Sequence, residues 1–224
     1  MSGRRSTASL VVTITTLLLV GFIAGFFARP PIQKWTERLK GALVQASRQR
    51  YLAAAFVGRS AADLPAATLD GTAFRLSEKK GKVVLLFFWA SWCPYSRGAI
   101  PAIQAIQERY ADRDDFEIIG VSLDRDKGEI DRFVADHGIR WINLFEDGKA
   151  WNTAYAKSYE VRAIPSRWII GKDLTISGAD LSQAAAEDQL SLLLENRHRP
   201  PSAPGGSAAA AAAAAGGCTA VDAP

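Results

Sequence analysis

One cysteine stands where a protein can make a thiol reactive. Cys93 lies in the segment FWASWCPYSR, residues 88–97, between a continuous apolar run and a predicted helix. The unpaired N–H groups and the dipole of a helix N-terminus stabilise a thiolate, which is the form that attacks disulfides. Ser96 follows three residues later, so its hydroxyl can donate to the sulfur but cannot form a disulfide. The pattern C-x-x-S therefore predicts thiol chemistry with a single nucleophile.

The rest of the sequence offers few alternatives to thiol chemistry. Its 2 cysteines and 2 histidines are widely separated, so they predict neither a metal site nor a disulfide scaffold. The sequence has no phosphate-binding loop, no serine-hydrolase elbow and no zinc-protease motif. His137 closes a predicted helix and His198 begins the C-terminal tail, so both are expected at the surface. No metal or other cofactor is predicted.

Alternating strands and helices are predicted to position Cys93. The segments VVLLFFW (83–89) and FEIIGVSL (116–123) are almost entirely apolar, which is typical of strands buried on both faces. The turn LDG at 69–71 predicts an early hairpin. Further helices are predicted at 94–110, 129–137, 150–159 and 182–195, and further strands at 167–170 and 174–177. This order predicts an α/β sheet that is covered by helices on both faces.

Two segments carry a resemblance to a known family. FWASWCPYS resembles the active-site segment of thioredoxin-fold proteins, and LDGTAFRLSEKKGKVVLLFFWASWC (69–93) is similar to the first hairpin and core strand of membrane-anchored TlpA/ResA-like thiol-disulfide oxidoreductases. YEVRAIPSRWII (159–170) resembles the later loop of that family, whose proline is cis. The resemblance covers about residues 60–195 and includes an insertion of the family's type at 122–150. It implies a thioredoxin-like fold with a central mixed sheet.

The resemblance also implies a site. Cys93 corresponds to the attacking cysteine, and the backbone beside the cis proline corresponds to the place where an extended substrate pairs. A trans turn proline is the alternative for this position. The residues carried over to the active site and substrate groove are Trp92, Pro94, Tyr95, Ser96, Ile164 and Pro165.

The sequence departs from the family pattern at two positions. Ser96 replaces the second active-site cysteine, and Phe87 replaces the buried polar residue six positions before the nucleophile. Another thiol must therefore complete the cycle after Cys93 has attacked. Cys218 is the internal candidate for this resolving thiol, because about twenty flexible residues give it a reach of ~25 Å. A coincidental cysteine in a low-complexity tail, or pairing with a second chain, are the alternatives.

The N-terminal region combines an apolar segment with positive charge. Residues 10–28 contain no charge and are long enough for a membrane-spanning helix at about 1.5 Å per residue. A cleaved signal peptide is the alternative, which the bulky Phe26 near the cleavage position disfavours. Residues 1–60 hold nine Lys or Arg against one acid, whereas residues 61–224 hold eighteen against twenty-two. Because the positive charge adjoins the apolar segment, nucleic-acid binding is not predicted.

The predicted organisation has five parts. They are an N-terminal tail at 1–9, a transmembrane signal-anchor at 10–28, a basic amphipathic stem or spacer helix at 29–58, a thioredoxin-like domain at 59–197, and a disordered Ala-, Gly- and Pro-rich tail at 198–224. The positive-inside rule alone slightly favours a cytoplasmic body. Anchored members of the family keep this domain outside the cytoplasm, so the resemblance implies a single-pass membrane protein with the domain on the periplasmic side.

These expectations combine into one leading function with two alternatives. The leading interpretation is a membrane-anchored thiol-disulfide oxidoreductase that acts through Cys93 and mixed disulfides in cell redox homeostasis. Its expected partners are protein disulfides or low-molecular-weight thiols and a redox partner that the sequence does not name. The alternatives are a non-catalytic peptide-binding module and a peroxiredoxin-like thiol peroxidase. The peroxidase is weaker, because the motif Pro-x-x-x-Thr-x-x-Cys does not fit the residues that precede Cys93.

Overall fold

The structure is a computed structural model. It describes residues 54–195, 217–221 and 223, together with residues 15–17, 19, 20, 36, 37, 40, 41 and 44. The chain divides into two compact units, Met1–Gln45 and Ala46–Pro224. The predicted tail at 1–9 and most of the predicted anchor and stem lie outside the described residues. Within the part that is described, no helix is both long and apolar enough to cross a membrane.

The second unit is built around a five-stranded mixed sheet. A short hairpin precedes it, formed by β1 (Ala66–Ala67) and β2 (Ala73–Phe74). The sheet contains β3 (Val83–Trp89), β4 (Phe116–Ser122), β5 (Ile142–Leu144), β6 (Ser166–Ile170) and β7 (Ile176–Gly178), in the order β5-β4-β3-β6-β7. Strands β3, β4 and β5 run parallel, whereas β6 is antiparallel to β3 and β7 is antiparallel to β6.

Four helices cover this sheet on its two faces. They are α1 (Pro94–Arg109), α2 (Lys127–Asp136), α3 (Ala154–Ser158) and α4 (Gln183–Glu195), and 3-10 turns lie at Leu76–Lys79 and Ala150–Asn152. One hydrophobic cluster joins Leu85 and Phe87 to Ile103 of α1 and Leu190 of α4. The cluster on the opposite face joins Val84, Leu86 and Phe88 of β3 to Tyr155 of α3. The predicted thioredoxin-like α/β fold with helices on both faces is therefore confirmed.

The predicted helix at 150–159 is wrong in one respect. Ala150–Asn152 forms a 3-10 turn, and α3 begins only after Thr153. The Thr153 hydroxyl accepts a hydrogen bond from the Ala156 N–H (3.1 Å), which caps the start of α3. Because Thr153 has an extended ψ of 148°, one continuous helix cannot run through this segment.

The innermost strand fixes where the reactive end of the sheet lies. Every side chain of β3 is buried, with 0–1% of its surface exposed. Such a strand cannot slide by one residue without exchanging its two apolar faces. The carboxyl ends of β3 and β4 therefore meet at one edge of the sheet, and Cys93 and Asp124 follow these two ends.

A half-buried carboxylate at the opposite edge links β4 to the turn between β6 and β7. The Asp115 carboxylate accepts hydrogen bonds from Arg113 (2.8 and 2.9 Å) and from Lys172 Nζ (2.7 Å). These two cations hold the pKa of Asp115 well below the ordinary range of an aspartate. The interaction therefore stabilises the fold above the unfolded-state pKa and is lost as pH falls through the folded-state pKa.

We expect Asp115→Asn to lower the free energy of unfolding at pH 7 by at most about 1 kcal/mol, because these ion pairs are partly exposed. The difference from the wild type should shrink as pH falls below about 4, where the unfolded chain binds the proton. Urea denaturation at a series of pH values measures both effects. Asp114→Asn is the matched control at the exposed neighbouring residue, and a pH-independent difference at Asp115 would contradict this account.

Candidate active site

Cys93 is held at the junction between strand and helix that the sequence predicts. It is the N-cap residue of α1, with extended backbone angles (φ −85°, ψ 115°). Its N–H donates to the Ala90 carbonyl (3.3 Å), and its carbonyl accepts from the Arg97 N–H (3.0 Å). These bonds form a tight turn between β3 and α1, so the sulfur lies beside the N-terminus of a sixteen-residue helix. This position favours negative charge on sulfur.

A buried carboxylate fixes the turn that precedes Cys93. Asp124 is fully buried and accepts hydrogen bonds from the Ser91 N–H (3.1 Å) and the Ser91 hydroxyl (2.7 Å). It also accepts from the Ser122 hydroxyl (2.7 Å). The bond donors satisfy a charge that would otherwise be costly to bury. Asp124 therefore acts as a positioning residue that ties the turn after β3 to the end of β4.

The remaining residues of the motif form the surroundings of Cys93. Trp92 is half-buried and its indole N–H donates to the Leu123 carbonyl (3.4 Å). Pro94 and Tyr95 are exposed, and Tyr95 keeps 52% of its surface accessible. Ser96 is fully buried, and its hydroxyl accepts a hydrogen bond from the Ala90 N–H (3.4 Å). The Ser96 hydroxyl, which the sequence predicts as a donor to the sulfur, thus binds the turn that precedes Cys93.

The second predicted segment lies directly beside the sulfur. The bond between Ile164 and Pro165 is cis, in agreement with the expectation from the sequence. The Ile164 carbonyl oxygen lies 3.7 Å from Cys93 Sγ, although the two residues are 71 positions apart in the chain. Ile164 is fully buried and Pro165 is half-buried. The structure therefore brings together the two segments on which the resemblance rests.

The C-terminal tail occupies this place in the structure. Cys218 forms a disulfide with Cys93, with 5.9 Å between their Cα atoms and a sequence separation of 125 residues. The Ile164 N–H donates to the Cys218 carbonyl (2.9 Å), and the Cys218 N–H donates to the Ile164 carbonyl (2.8 Å). This reciprocal pair is one step of an antiparallel ladder. Gly217 and Cys218 belong to the tail for which the sequence predicts disorder, yet they lie in a defined register against the loop.

The sheet next to the site also departs from the family pattern, at Phe87. Phe87 packs against Trp89 and Trp141, with 6.4 Å between ring centroids in each case. The Arg167 guanidinium lies 5.7 Å from the centre of the Phe87 ring, and Arg167 is the cross-strand partner of Phe87. Burial lowers the pKa of Arg167 from its ordinary value. An aromatic ring and a cation thus occupy the region where the family pattern has a polar residue.

Sequence reasoning missed Asp124 and Arg167. A signal for Asp124 was present, because it follows the strand at 116–123 and parallel strands end at the same edge of a sheet. Arg167 was assigned only to a strand, and the alternation along RWII places it on the face opposite Trp168.

Among the described residues, no group of three or more His, Cys, Asp or Glu side chains could hold a metal ion.

Comparison with known proteins identifies the family. A model of the AhpC/TSA family matches residues 57–179, which is more than half of the chain. The chain belongs to the AhpC/TSA family. The chain is similar to the thioredoxin-like protein YneN of Bacillus subtilis, with 31% identity over 116 residues that cover 50% of this chain and 64% of YneN. It is also similar to the thiol-disulfide oxidoreductase ResA of Bacillus cereus, with 26% identity over 117 residues that cover 52% of this chain and 65% of ResA.

Solved structures of other proteins share the fold of this chain. A protein from Chlorobium tepidum, described as a candidate thiol:disulfide interchange protein DsbE, superposes with a TM-score of 0.54 and 26% identity over 62% of this chain and 97% of that chain. A thiol-disulfide oxidoreductase from Bacteroides fragilis has a TM-score of 0.57 at 23% identity over 61% and 100% of the two chains, which supports the fold alone. The predicted resemblance to TlpA/ResA-like proteins is confirmed. The chain spans just under two thirds of the length of YneN and ResA.

We expect Asp124→Asn to loosen the turn that holds Cys93. The amide would place a donor where three donors now converge, so the free energy of unfolding should fall by about 1–3 kcal/mol. Chemical denaturation measures this loss, and the rate at which reduced Cys93 reacts with a small disulfide should fall with it. Asp131→Asn is the control, because its carboxylate is exposed and bonds only Lys127 on the surface of α2. Equal stability of the Asp124 variant and the wild type would contradict the positioning role.

Proposed function

We propose that this domain is a thioredoxin-like thiol-disulfide oxidoreductase in which Cys93 attacks and Cys218 resolves. The observation that carries the proposal is the disulfide between these residues, formed while Cys218 pairs in register with Ile164. An extended chain that pairs with this loop and places a sulfur on Cys93 has the geometry of a bound disulfide substrate. The relatives named as thiol-disulfide oxidoreductases support the same reaction class.

The first step is attack on a substrate disulfide. The Cys93 thiolate attacks one sulfur of the substrate, a new sulfur–sulfur bond forms, and the original bond breaks. The other substrate sulfur leaves as a thiolate and takes a proton from water. The N-terminus of α1 stabilises the attacking thiolate, and Asp124 holds the turn that presents it.

The second step releases the substrate. The Cys218 thiolate attacks Cys93 Sγ, the mixed disulfide breaks, and the substrate's second sulfur leaves as a thiol. The substrate disulfide has then gained two electrons, and the two cysteines of the enzyme have lost two. An external thiol reductant must reduce the Cys93–Cys218 bond before another cycle, and the reverse sequence would oxidise a substrate dithiol.

Cys218 in the tail supplies the second thiol that Ser96 of α1 lacks. A serine hydroxyl at this position leaves the mixed disulfide without a neighbouring thiol. The tail holds Cys218 near the site at an effective concentration in the millimolar range. Because Cys218 uses both the N–H and the carbonyl of Ile164, it can attack only after a paired substrate strand has left these groups. Release would therefore occur by exchange of one strand for another.

The peroxidase alternative has less support. The family match includes no residue-level evidence for peroxide binding, and Ala90 stands where the peroxidase motif has threonine. The buried Ala90 offers no hydroxyl beside the sulfur. A non-catalytic binding module would use the same groove, but it would not require a cysteine in the tail to reach Cys93.

We also propose that the N-terminal segment at 10–28 anchors the domain to a membrane, with the domain on the periplasmic side. Three large apolar side chains of that segment lie on a helix and remain largely exposed, namely Leu17, Leu19 and Val20. Exposed apolar side chains on a helix favour contact with lipid. The basic residues between 29 and 58 would then lie near anionic headgroups.

We expect Cys93→Ser and Cys218→Ser to fail in different ways. Cys93→Ser should abolish reduction of a protein disulfide such as that of insulin, because the nucleophile is lost. Cys218→Ser should still form mixed disulfides but lower steady-state turnover by at least about tenfold, because only external thiols can then release the substrate. Turnover assays and mass spectrometry of non-reduced protein measure these outcomes. Full turnover by Cys218→Ser would reject its resolving role, and full turnover by Cys93→Ser would reject the proposed function.

We expect the full chain to remain with membranes after alkaline extraction of expressing bacteria. A variant that begins at Arg29 should appear in the supernatant, because it lacks the apolar segment. Fractionation followed by immunoblotting measures the distribution. Protease added outside the inner membrane should digest the domain of the full chain. Release of the full chain by alkali would contradict the proposed anchor, and protection from the protease would contradict the proposed side.

A further inference from the structure

Gly217, the residue before Cys218, packs closely against the loop at Ile164. A Cβ atom added to Gly217 would lie 3.1 Å from the Ile164 carbonyl oxygen and 3.4 Å from the Ala163 Cβ. The first separation is shorter than an ordinary contact, and the second lies at the short end of ordinary van der Waals contact. Gly217 is not among the residues with left-handed backbone angles. The structure therefore favours glycine here for space and not for conformation.

Gly217 contacts atoms whose positions are set by the backbone and not by a side-chain rotamer. One contact is a backbone oxygen, and the other is a Cβ atom whose position follows from the backbone. The Ile164 carbonyl is held by its hydrogen bond from Cys218, and its side chain is fully buried. A larger residue would require the loop to shift by a few tenths of an ångström or would weaken the antiparallel pairing. The loop thus discriminates against side chains at this position.

The positions after Cys218 are different. Thr219 and Ala220 are both exposed. Bulk at Ala220 would meet solvent. The packing constraint is therefore tight at Gly217, before the cysteine, and weaker at the exposed Ala220.

We propose that the groove of this oxidoreductase selects polypeptide cysteines that are preceded by glycine, in an extended segment that pairs with Ile164. The inference rests on the proposed function, since it takes the tail as a copy of the substrate strand. In the selected step the Cys93 thiolate forms a bond to the substrate cysteine sulfur, that sulfur's bond to its former partner breaks, and the partner leaves as a thiolate. The substrate class is a flexible Gly-Cys segment of a protein.

The same inference gives the tail a second property. The tail itself has glycine before its cysteine, so it competes with substrate for the N–H and the carbonyl of Ile164. A substrate with a larger residue before its cysteine would pair less well and would yield to the tail more readily. Selectivity is therefore expressed in the formation of the mixed disulfide.

The test uses the full chain with Cys218→Ser, so that Cys93 is its only thiol. Three peptides are prepared as disulfides with nitrothiobenzoate, whose release is followed by absorbance. The first, Gly-Gly-Cys-Thr-Ala, copies residues 216–220. The second has valine before the cysteine, and the third has valine in place of the final alanine. The first and third should react with Cys93 at similar rates, and the second should react at least about tenfold more slowly because it overpacks the contact with the loop at Ile164.

A second measurement applies the same rule to the tail itself. In the otherwise unchanged chain, Gly217→Val should slow formation of the Cys93–Cys218 bond by about tenfold after reduction and dilution into oxidant. Ala220→Val is the matched control, because it adds the same bulk at an exposed position. Thiol alkylation followed by mass spectrometry gives both rates.

The outcomes separate this inference from the function on which it rests. If the first and second peptides react equally fast with Cys93, the selection for glycine is wrong while the proposed function stands. If none of the peptides reacts with Cys93, the proposed function itself fails. If Gly217→Val and Ala220→Val oxidise at the same rate, the tail does not obey the rule and the inference is overturned.

Discussion

The structure depends on a strand whose side chains are buried on both faces. Because β3 has no solvent-facing side, its register is fixed by two hydrophobic clusters at once, one under α1 and α4 and the other under α3. Cys93 lies a few residues beyond its end, so the position of the sulfur is inherited from this core. The β6 strand pairs with β3 on the other side and carries the Ile164 loop to the same edge. The reactive atom and its pairing partner are therefore placed by packing that lies far below the surface.

At that edge, chemistry is divided between a rigid part and a tethered part. The rigid part is the turn at Cys93, tied by Asp124 to β4, together with the loop at Ile164. The tethered part is Cys218, which reaches the site from 125 residues away. In the proposed cycle, a thiol in α1 would always be present beside the mixed disulfide, whereas a thiol in the tail would compete with the substrate for the same backbone groups. Occupancy of the groove would then control each half of the proposed cycle.

Much of the fold follows from the sequence for simple physical reasons. The short apolar runs at 83–89 and 116–123 are typical of buried strands, and the cis bond before Pro165 followed from the resemblance of a whole segment. The break at Thr153 was not predictable, because periodicity does not distinguish a 3-10 turn from the first turn of an α-helix. The role of Asp124 was missed because it depends on Ser91, which lies in the turn after a different strand. For Cys218, chain length gives a reach but no register, and the register comes from the backbone of Ile164.

The disulfide between Cys93 and Cys218 also changes the topology of the chain. When it is formed, residues 93–218 make a closed covalent ring that contains the strands β4 to β7 and the helices α1 to α4. In the chain-entropy view, closing a loop of this length restricts the unfolded ensemble by an amount worth about 4–5 kcal/mol. Reduction opens the ring and returns that freedom to the unfolded chain. Reduction of this disulfide and resistance to unfolding are thus thermodynamically linked, so each turnover of the proposed cycle would alternate the molecule between a more and a less cross-linked form.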